Sequence, residues 1–372
     1  MLIGFDGRLA NDKHRVGGGQ YCSELLKAMA PLLGEDRLIV YIDEEPKSFF
    51  PLKPSSNVDI KILGKAKFWT NTLLAKALKK DHPDVFFSPS LQVPWFVNIP
   101  KCSTIYDIAY YDFPSEFTWK FRVKAKFQLY MAVKTTQIFI AISESTQKRV
   151  LSIYPELESR IYTVLLGVDR NIKRTPQERQ IEIRKKYHLE FPFFLYLGRI
   201  QPRKNIIRMI EAFELFLDTN TNSPLHLVIV GSLGWLYEPI LSKMQNSKYA
   251  ERIHYLGYVE DEDEKIALIS SAEALILVSL WEGFGLPIVE AMKCETPVIT
   301  SNCSSLIEVV GDAGLLVNPY NVLDIKNAME KISLSPELRQ EIIIKGNERV
   351  ALFTWENTAS QILGLLRKKF SK

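Results

Sequence analysis

The stretch "FFLYLGRIQPRKN", residues 193 to 205, decides the fold. An apolar and aromatic run of strand length meets Gly198, and a short basic loop containing Pro202 hands over to a helical pattern from Asn205. Strand, glycine loop and helix in that order open a parallel βα unit, with the loop at the carboxyl end of the strand. The first residues repeat the arrangement: "MLIGFDGRL" leads through Gly17, Gly18 and Gly19 into a helical segment from Gln20. Around these openings β-rich runs alternate with helical patterns. They are "RLIVYI", "DVFFSPS", "KCSTIYDIA" and "QIFIAIS" in the first half, then "LHLVIVG", "RIHYLGYV", "ALILVSL" and "TPVITS" in the second. Two such openings predict an α/β protein of two Rossmann-like, doubly wound parallel-sheet domains, with a ligand cleft between them.

Composition agrees with two cores. The chain has 372 residues, 47% of them hydrophobic, and a formal net charge of +4. That mild basicity suits an anionic small molecule or an anionic membrane surface and argues against a nucleic-acid track. Cys22, Cys102, Cys294 and Cys303 form no CxxC pair, so neither a zinc site nor a disulfide framework is signalled, and reduced thiols in the cytoplasm are expected. No apolar run approaches the roughly 20 residues that cross a bilayer, and the N-terminus lacks the pattern of a signal peptide. The charged segment 169–190 marks the boundary, giving domains 1–172 and 173–355, with a C-terminal helix of about 356–372 returning to the first.

The corner "SLWEGFGLPIVEAM", residues 279 to 292, carries the chemistry. Pro287 suits the first turn of a helix, which places the helix start near Leu286, Glu282 in the entering loop and Glu290 about one turn inside. Gly283 and Gly285 let a ligand approach the main chain, and a helix N-terminus attracts phosphate. Two carboxylates beside a phosphate are better employed in accepting hydrogen bonds from sugar hydroxyls on either side of it, which describes a nucleotide sugar. Arg199, Arg203 and Lys204 supply cations for the phosphates. Spacing alone leaves a second role open, in which Glu290 supports the helix and Glu282 is a solvated loop acid.

In that order of motifs the chain resembles the family 4 glycosyltransferases, retaining nucleotide-sugar-dependent enzymes with the GT-B fold. "GRIQPRKN" is similar to the family's Gly-Arg, four residues, Lys-Asn element, and "SLWEGFGLPIVEAM" to its Glu-x7-Glu motif. "YLGYVEDED", "PVITSNCSSLIEVVGDAGLLVNP", "GGGQY", "IYDIAY", "AISESTQKRV" and "FTWENTA" fall where that family has comparable elements. The resemblance implies that Glu290 binds ribose hydroxyls and Glu282 the transferred sugar. Main-chain groups of Gly283, Phe284, Gly285 and Leu286 would meet sugar and phosphate, and Arg199 and Lys204 the diphosphate. Gly18 and Gly19 would approach from the first domain, and Val259 would meet the base. Tyr106 stands where many relatives have a histidine on the donor sugar, followed by Asp107, which the resemblance places among the catalytic residues. A tyrosine there is larger and effectively neutral at pH 7. Glu295 stands where relatives usually carry glycine, and Val278 where they often carry proline.

The resemblance also implies retention of anomeric configuration by front-face displacement, with UDP-glucose or GDP-mannose as donor and no cofactor. Asp261-Glu262-Asp263 imitates the Asp-x-Asp metal site of another glycosyltransferase fold, but lies where carboxylates favour a helix N-terminus, so metal independence is expected. The acceptor, a saccharide or lipid-linked saccharide, is expected on the first domain, with Trp95 and Trp119 as contacts. "FTWKFRVKAKFQLYMAVK" mixes aromatic and basic residues as peripheral membrane contact would need, yet Lys120 and Lys124 share a helical face that Arg122 and Lys126 do not. A phosphorylase or sugar-phosphate synthase would need a further basic cluster near Gly17 to Gly19, for which Arg8, Lys13 and Arg15 are the candidates. A catalytically silent partner would not need Arg199, Lys204, Glu282 and Glu290 together. A dehydrogenase fits less well still, because no GxGxxG follows the first strand.

Overall fold

The computed structural model describes residues 1–12 and 17–371. Lys13 and Arg15 therefore lie outside the described residues. Two compact units emerge, one of Met1–Ile108, Thr118–Asp169 and Phe353–Lys372, the other of Ala109–Phe117 and Arg170–Leu352.

The first unit is built on β1 (Leu2–Asp6), β2 (Arg37–Ile42), β3 (Val58–Ile62), β4 (Val85–Ser88), β5 (Lys101–Ile105), β6 (Ile138–Ala141) and β7 (Ile161–Thr163). They form one sheet in the order β3-β2-β1-β4-β5-β6-β7, and every pairing in it is parallel. The order reverses between β1 and β4. The second unit holds β8 (Phe193–Leu197), β9 (His226–Val230), β10 (Ile253–Gly257), β11 (Ala274–Leu277), β12 (Val298–Ser301) and β13 (Leu315–Val317). Their order is β10-β9-β8-β11-β12-β13, again parallel, with the reversal between β8 and β11. Both are doubly wound α/β sheets, as the alternating runs predict. Central strands such as Phe193–Leu197 and Val85–Ser88 are apolar on both faces because helices cover both sides of a parallel sheet.

The C-terminal helix, Trp355–Phe370, completes the first unit by burying Trp355, Ile362, Leu363 and Leu366. Thr358 Oγ1 donates to Leu165 O at 2.7 Å, and Arg367 Nε pairs with Asp36 at 2.7 Å. A Cβ on Gly167 would stand 2.2 Å from the Trp355 nitrogen, so only glycine fits where these two backbones cross. The units meet in sequence at Asp169–Arg170 and Leu352–Phe353, a few residues before the expected junctions. A larger difference from the expected division is that Ala109–Phe117 packs with the second unit although both its flanking segments belong to the first.

Candidate active site

In open parallel sheets ligands bind beyond the carboxyl ends of the strands where the order reverses. In the second unit that point is shared by the loop after β8, residues 198–205, and the loop after β11, residues 278–285. The helix Leu286–Lys293 starts as expected, with Pro287 in its first turn. Gly285 precedes it at φ 104°, a left-handed conformation, and a Cβ there would meet the Leu306 side chain at 2.8 Å. Ser305 Oγ bridges the corner, 2.9 Å from both Glu282 O and Phe284 O. Gly283 and Phe284 are buried within it, and Leu286 is half-buried at the helix start.

Both carboxylates are buried, Glu282 at 8% and Glu290 at 5% exposure. Glu282 Oε1 accepts from Lys204 Nζ at 2.5 Å and from Ser279 Oγ at 2.6 Å, and Arg203 Nη1 lies 3.8 Å from Oε2. Burial pushes its proton affinity up, but the charges of Lys204 and Arg203 outweigh this, and the carboxyl is held below its ordinary value. Glu290 accepts from Lys265 Nζ at 3.1 Å, and the same ammonium is 2.5 Å from Glu262. Here burial prevails over that one shared cation, Glu262 adds repulsion, and the carboxyl is pushed above its ordinary value.

The structure separates the two cations expected to act together. Lys204 sits on Glu282, whereas Arg199 is exposed with its guanidinium 5.9 Å from the centre of the Trp235 ring. The arginine beside Glu282 is Arg203, which is 8% exposed and donates to Trp281 O. Val259 is buried two residues beyond β10. Asp261 caps the helix Glu262–Ser271 by accepting the Glu264 N–H at 3.1 Å. Among the described residues no group of three or more His, Cys, Asp or Glu side chains could hold a metal ion.

In the first unit, Gly18 and Gly19 open the helix Gly18–Met29. A Cβ on Gly18 would be 3.3 Å from the Tyr106 hydroxyl. Tyr106 packs edge-on to Tyr21, donates its proton to Pro89 O, and burial pushes its phenol well above its ordinary value. The hydroxyl expected at the donor sugar is thus engaged inside the unit. Asp107 follows it, half-buried, just past β5. At the reversal point between β1 and β4 a cavity of about 520 Å³ opens, lined among others by Arg8, Trp69, Gln92, Trp95, Lys124 and Phe127. Arg8 is neutralised there by Asp6 at 2.7 Å and stacks on Trp69 at 4.0 Å, so it offers no spare charge to a phosphate acceptor. Trp119, 64% exposed, is not part of the lining. A second cavity of about 570 Å³, bordered by Pro192, Asn220 and Arg339, lies at the amino-terminal edge of the second sheet, away from both reversal points.

O-antigen chain mannosyltransferase B of Escherichia coli is 32% identical over 290 residues, covering 76% of this chain and 74% of its own length. Residues 178–349 match the family described as glycosyl transferases group 1. The chain belongs to the group 1 glycosyltransferases. It is a hexosyltransferase enzyme, and solved structures agree on its fold. Sucrose-phosphate synthase from Thermosynechococcus elongatus superposes with a TM-score of 0.77 at 21% identity, over 100% of this chain and 99% of that one. HepE of Anabaena, solved with UDP-glucose, gives 0.72 at 18% identity, over 99% and 100%. The GT-B architecture is therefore that of this glycosyltransferase.

Two further residues enter the glycosyltransferase's site that the motifs did not single out for it: Arg203, named in the sequence only as one of three cations, and Lys265, just past the Asp261-Glu262-Asp263 segment. The buried-carboxylate partners of Lys265 and Arg203 stand far away in sequence, and only the fold brings them together.

Proposed function

We propose that this glycosyltransferase moves a hexose from a nucleotide sugar to a saccharide or lipid-linked saccharide in cell-surface polysaccharide synthesis, retaining the anomeric configuration and using no metal. The observation that carries this is the Lys204–Glu282 pair at the β8/β11 reversal, with a second buried carboxylate, Glu290, on the far side of a glycine-marked helix start. Glu290 would accept from the ribose hydroxyls and Glu282 from the transferred hexose. Lys204 and Arg199 would take the diphosphate and the charge that grows on it. In a front-face displacement the bond from the anomeric carbon to the diphosphate breaks while the acceptor oxygen bonds on the same face. The acceptor proton passes to the leaving phosphate oxygen. In the first unit, Asp107, Gly18 and Gly19 would serve the reaction in the roles that the resemblance implies. The mannosyltransferase relative favours GDP-mannose over UDP-glucose as donor.

For the acceptor, the Trp69–Trp95 cavity offers aromatic faces for a pyranose and the amide of Gln92 for its hydroxyls. The helix Trp119–Thr135 supports a lipid-linked acceptor: it carries Lys120, Arg122, Lys124, Lys126 and Lys134, no acid, and exposed Trp119, Val123 and Tyr130. Such a helix suits an anionic lipid surface.

The test is a panel of GDP-, UDP- and ADP-sugars with an excess of a divalent-metal chelator, following release of nucleoside diphosphate and the anomeric proton signal of the product. Chelator-insensitive turnover of GDP-mannose with a retained anomer is expected. Turnover that requires a divalent ion, or an inverted product, would contradict it.

A further inference from the structure

The loops that follow β8 and β9 continue side by side beyond the ends of those strands. Gly198 N–H donates to Val230 O at 3.0 Å, Ile200 N–H to Ser232 O at 2.9 Å and Gly234 N–H to Ile200 O at 2.9 Å. Arg199 lies within this ladder, and its own carbonyl accepts from the Tyr196 hydroxyl at 3.0 Å. The main chain at the arginine is therefore held from both sides, and the side chain is led out by two residues of the neighbouring loop. Gly234 makes room for the stem: a Cβ there would stand 3.0 Å from Arg199 Cγ, 3.1 Å from its Cδ and 2.8 Å from Ile200 O. Trp235, the next residue, sets its ring 5.9 Å from the guanidinium.

That ring is itself placed from two directions. Phe117 packs against it with ring centroids 5.5 Å apart. Leu236, directly after it, stands at φ 56°, a left-handed conformation that costs free energy in a residue other than glycine. Such strain persists where the surroundings impose it, here in the turn that lays Trp235 on Arg199. Charge gives this arrangement its meaning. Arg203 and Lys204, the other two cations of the segment, both lie on Glu282. Arg199 is exposed, and among the described residues no carboxylate pairs with it. An aromatic face attracts a guanidinium without cancelling its charge, whereas an acid in the same place would cancel it.

We propose that Trp235 is a positioning residue of the donor site. Its ring, with the trough at Gly234, holds the Arg199 side chain extended and out of ion-pair range of Glu282, as an uncompensated cation for the diphosphate. The effect on ligands rests on the donor reading proposed above; the seating of the arginine does not.

The test is a double-mutant cycle on the full-length protein: wild type, Trp235→Ala, Arg199→Met and the two together, titrated calorimetrically with GDP and with UDP. Trp235→Ala is expected to weaken the diphosphate that binds by about 3- to 30-fold, the range of a cation–π contact. In the Arg199→Met background the same substitution should change affinity by less than about twofold, because a residue that acts through Arg199 has nothing left to act on. Trp235→Phe, which keeps an aromatic face, should stay within about threefold of wild type. If Trp235→Ala does not accumulate, Trp235→Leu, which keeps bulk and removes the face, should show the same loss. Wild-type affinity in Trp235→Ala would overturn the proposal. So would a loss that persists in the Arg199→Met background, since the ring would then meet the ligand itself or serve the fold alone. A ligand-free measurement uses the arginine Nε–H resonances. The Arg199 signal, identified by its absence from Arg199→Met, should be displaced upfield by the ring current in wild type and return towards the other arginines in Trp235→Ala. An undisplaced signal in wild type would overturn the seat. Wild type that binds neither diphosphate, nor ADP, would overturn the donor reading, and the resonance would still decide the seat.

Discussion

Glu282 and Glu290 flank one helix start, are nearly equally buried, and hold their protons in opposite directions. Glu282 faces two cations and a serine hydroxyl, whereas Glu290 shares a single lysine with a second acid. Burial is the common penalty, and the number of cations decides the sign. The difference suits the two roles. A carboxylate beside a transferred sugar and a diphosphate must stay charged and fixed, so its cations belong to the same machinery. A carboxylate that grips ribose hydroxyls needs less charge, and its solvation is completed by the ligand.

The largest effect should come from removing the cation that separates the two acids. Lys204→Ala is expected to lower kcat by about 100-fold or more, the scale of losing a group that stabilises developing charge, in a transfer assay at saturating donor. Turnover near wild type would remove Lys204 from the site and with it the reason for Glu282's low proton affinity.

Stability should split the pair next. Glu282, held below its ordinary value, contributes stability that is present above the unfolded-state value and lost as pH falls through the lower, folded one. Glu290, held above it, binds more protons when folded, so its contribution falls as pH rises from the ordinary carboxyl range through the raised value. Glu282→Gln leaves Lys204 and Arg203 without their counter-charge and should destabilise the protein by about 3 kcal/mol at neutral pH. Glu290→Gln should instead leave Tm unchanged or raised, with the gain over wild type growing as pH increases. Calorimetric melts of both variants between pH 5 and pH 8 check this, and a like sign for the two would break the comparison.

The smallest effect lies at the other end of the same helix. Its C-terminus is closed by Glu295 N–H on Met292 O and Thr296 N–H on Ala291 O, the bonding pattern of a Schellman motif, with Glu295 at φ 55°. That left-handed position favours glycine, the residue that the family resemblance implies there. Glu295→Gly should stabilise by about 1 kcal/mol, a Tm rise of about 2–4 °C, without altering transfer. A fall in Tm would contradict the assignment of strain to that residue.

Strands were most legible where both faces are buried, with the half-buried edge strand β10 the one recognised outside that rule. The runs recognised in sequence all form strands, whereas "VDIKI", "IYT" and "LLV" were not singled out. These are β3, β7 and β13, which stand at sheet edges, are partly exposed, and lack the unbroken apolar run of an inner parallel strand. The corner at Glu282 to Glu290 was legible because Gly285, Pro287 and the helix act within one turn of chain. Which arginine meets Glu282 was not, because Arg203 lies inside the 3-10 turn Pro202–Lys204 and Arg199 ahead of it, and sequence spacing does not convey the direction of that turn. Tyr106 illustrates the same limit: its hydroxyl is taken up by Pro89, a partner that only folding supplies.

The division of labour between the two acids is most directly tested by titration calorimetry of wild type, Glu282→Gln and Glu290→Gln with the nucleoside diphosphate alone and with the intact nucleotide sugar. Glu290→Gln should weaken both ligands by the same factor, about tenfold or more, as expected for lost hydrogen bonds to a charged group. Glu282→Gln should weaken the nucleotide sugar and leave the diphosphate within about twofold of wild type. A Glu282→Gln protein that loses the bare diphosphate as strongly as the nucleotide sugar, or a Glu290→Gln protein that binds both normally, would contradict the assignment.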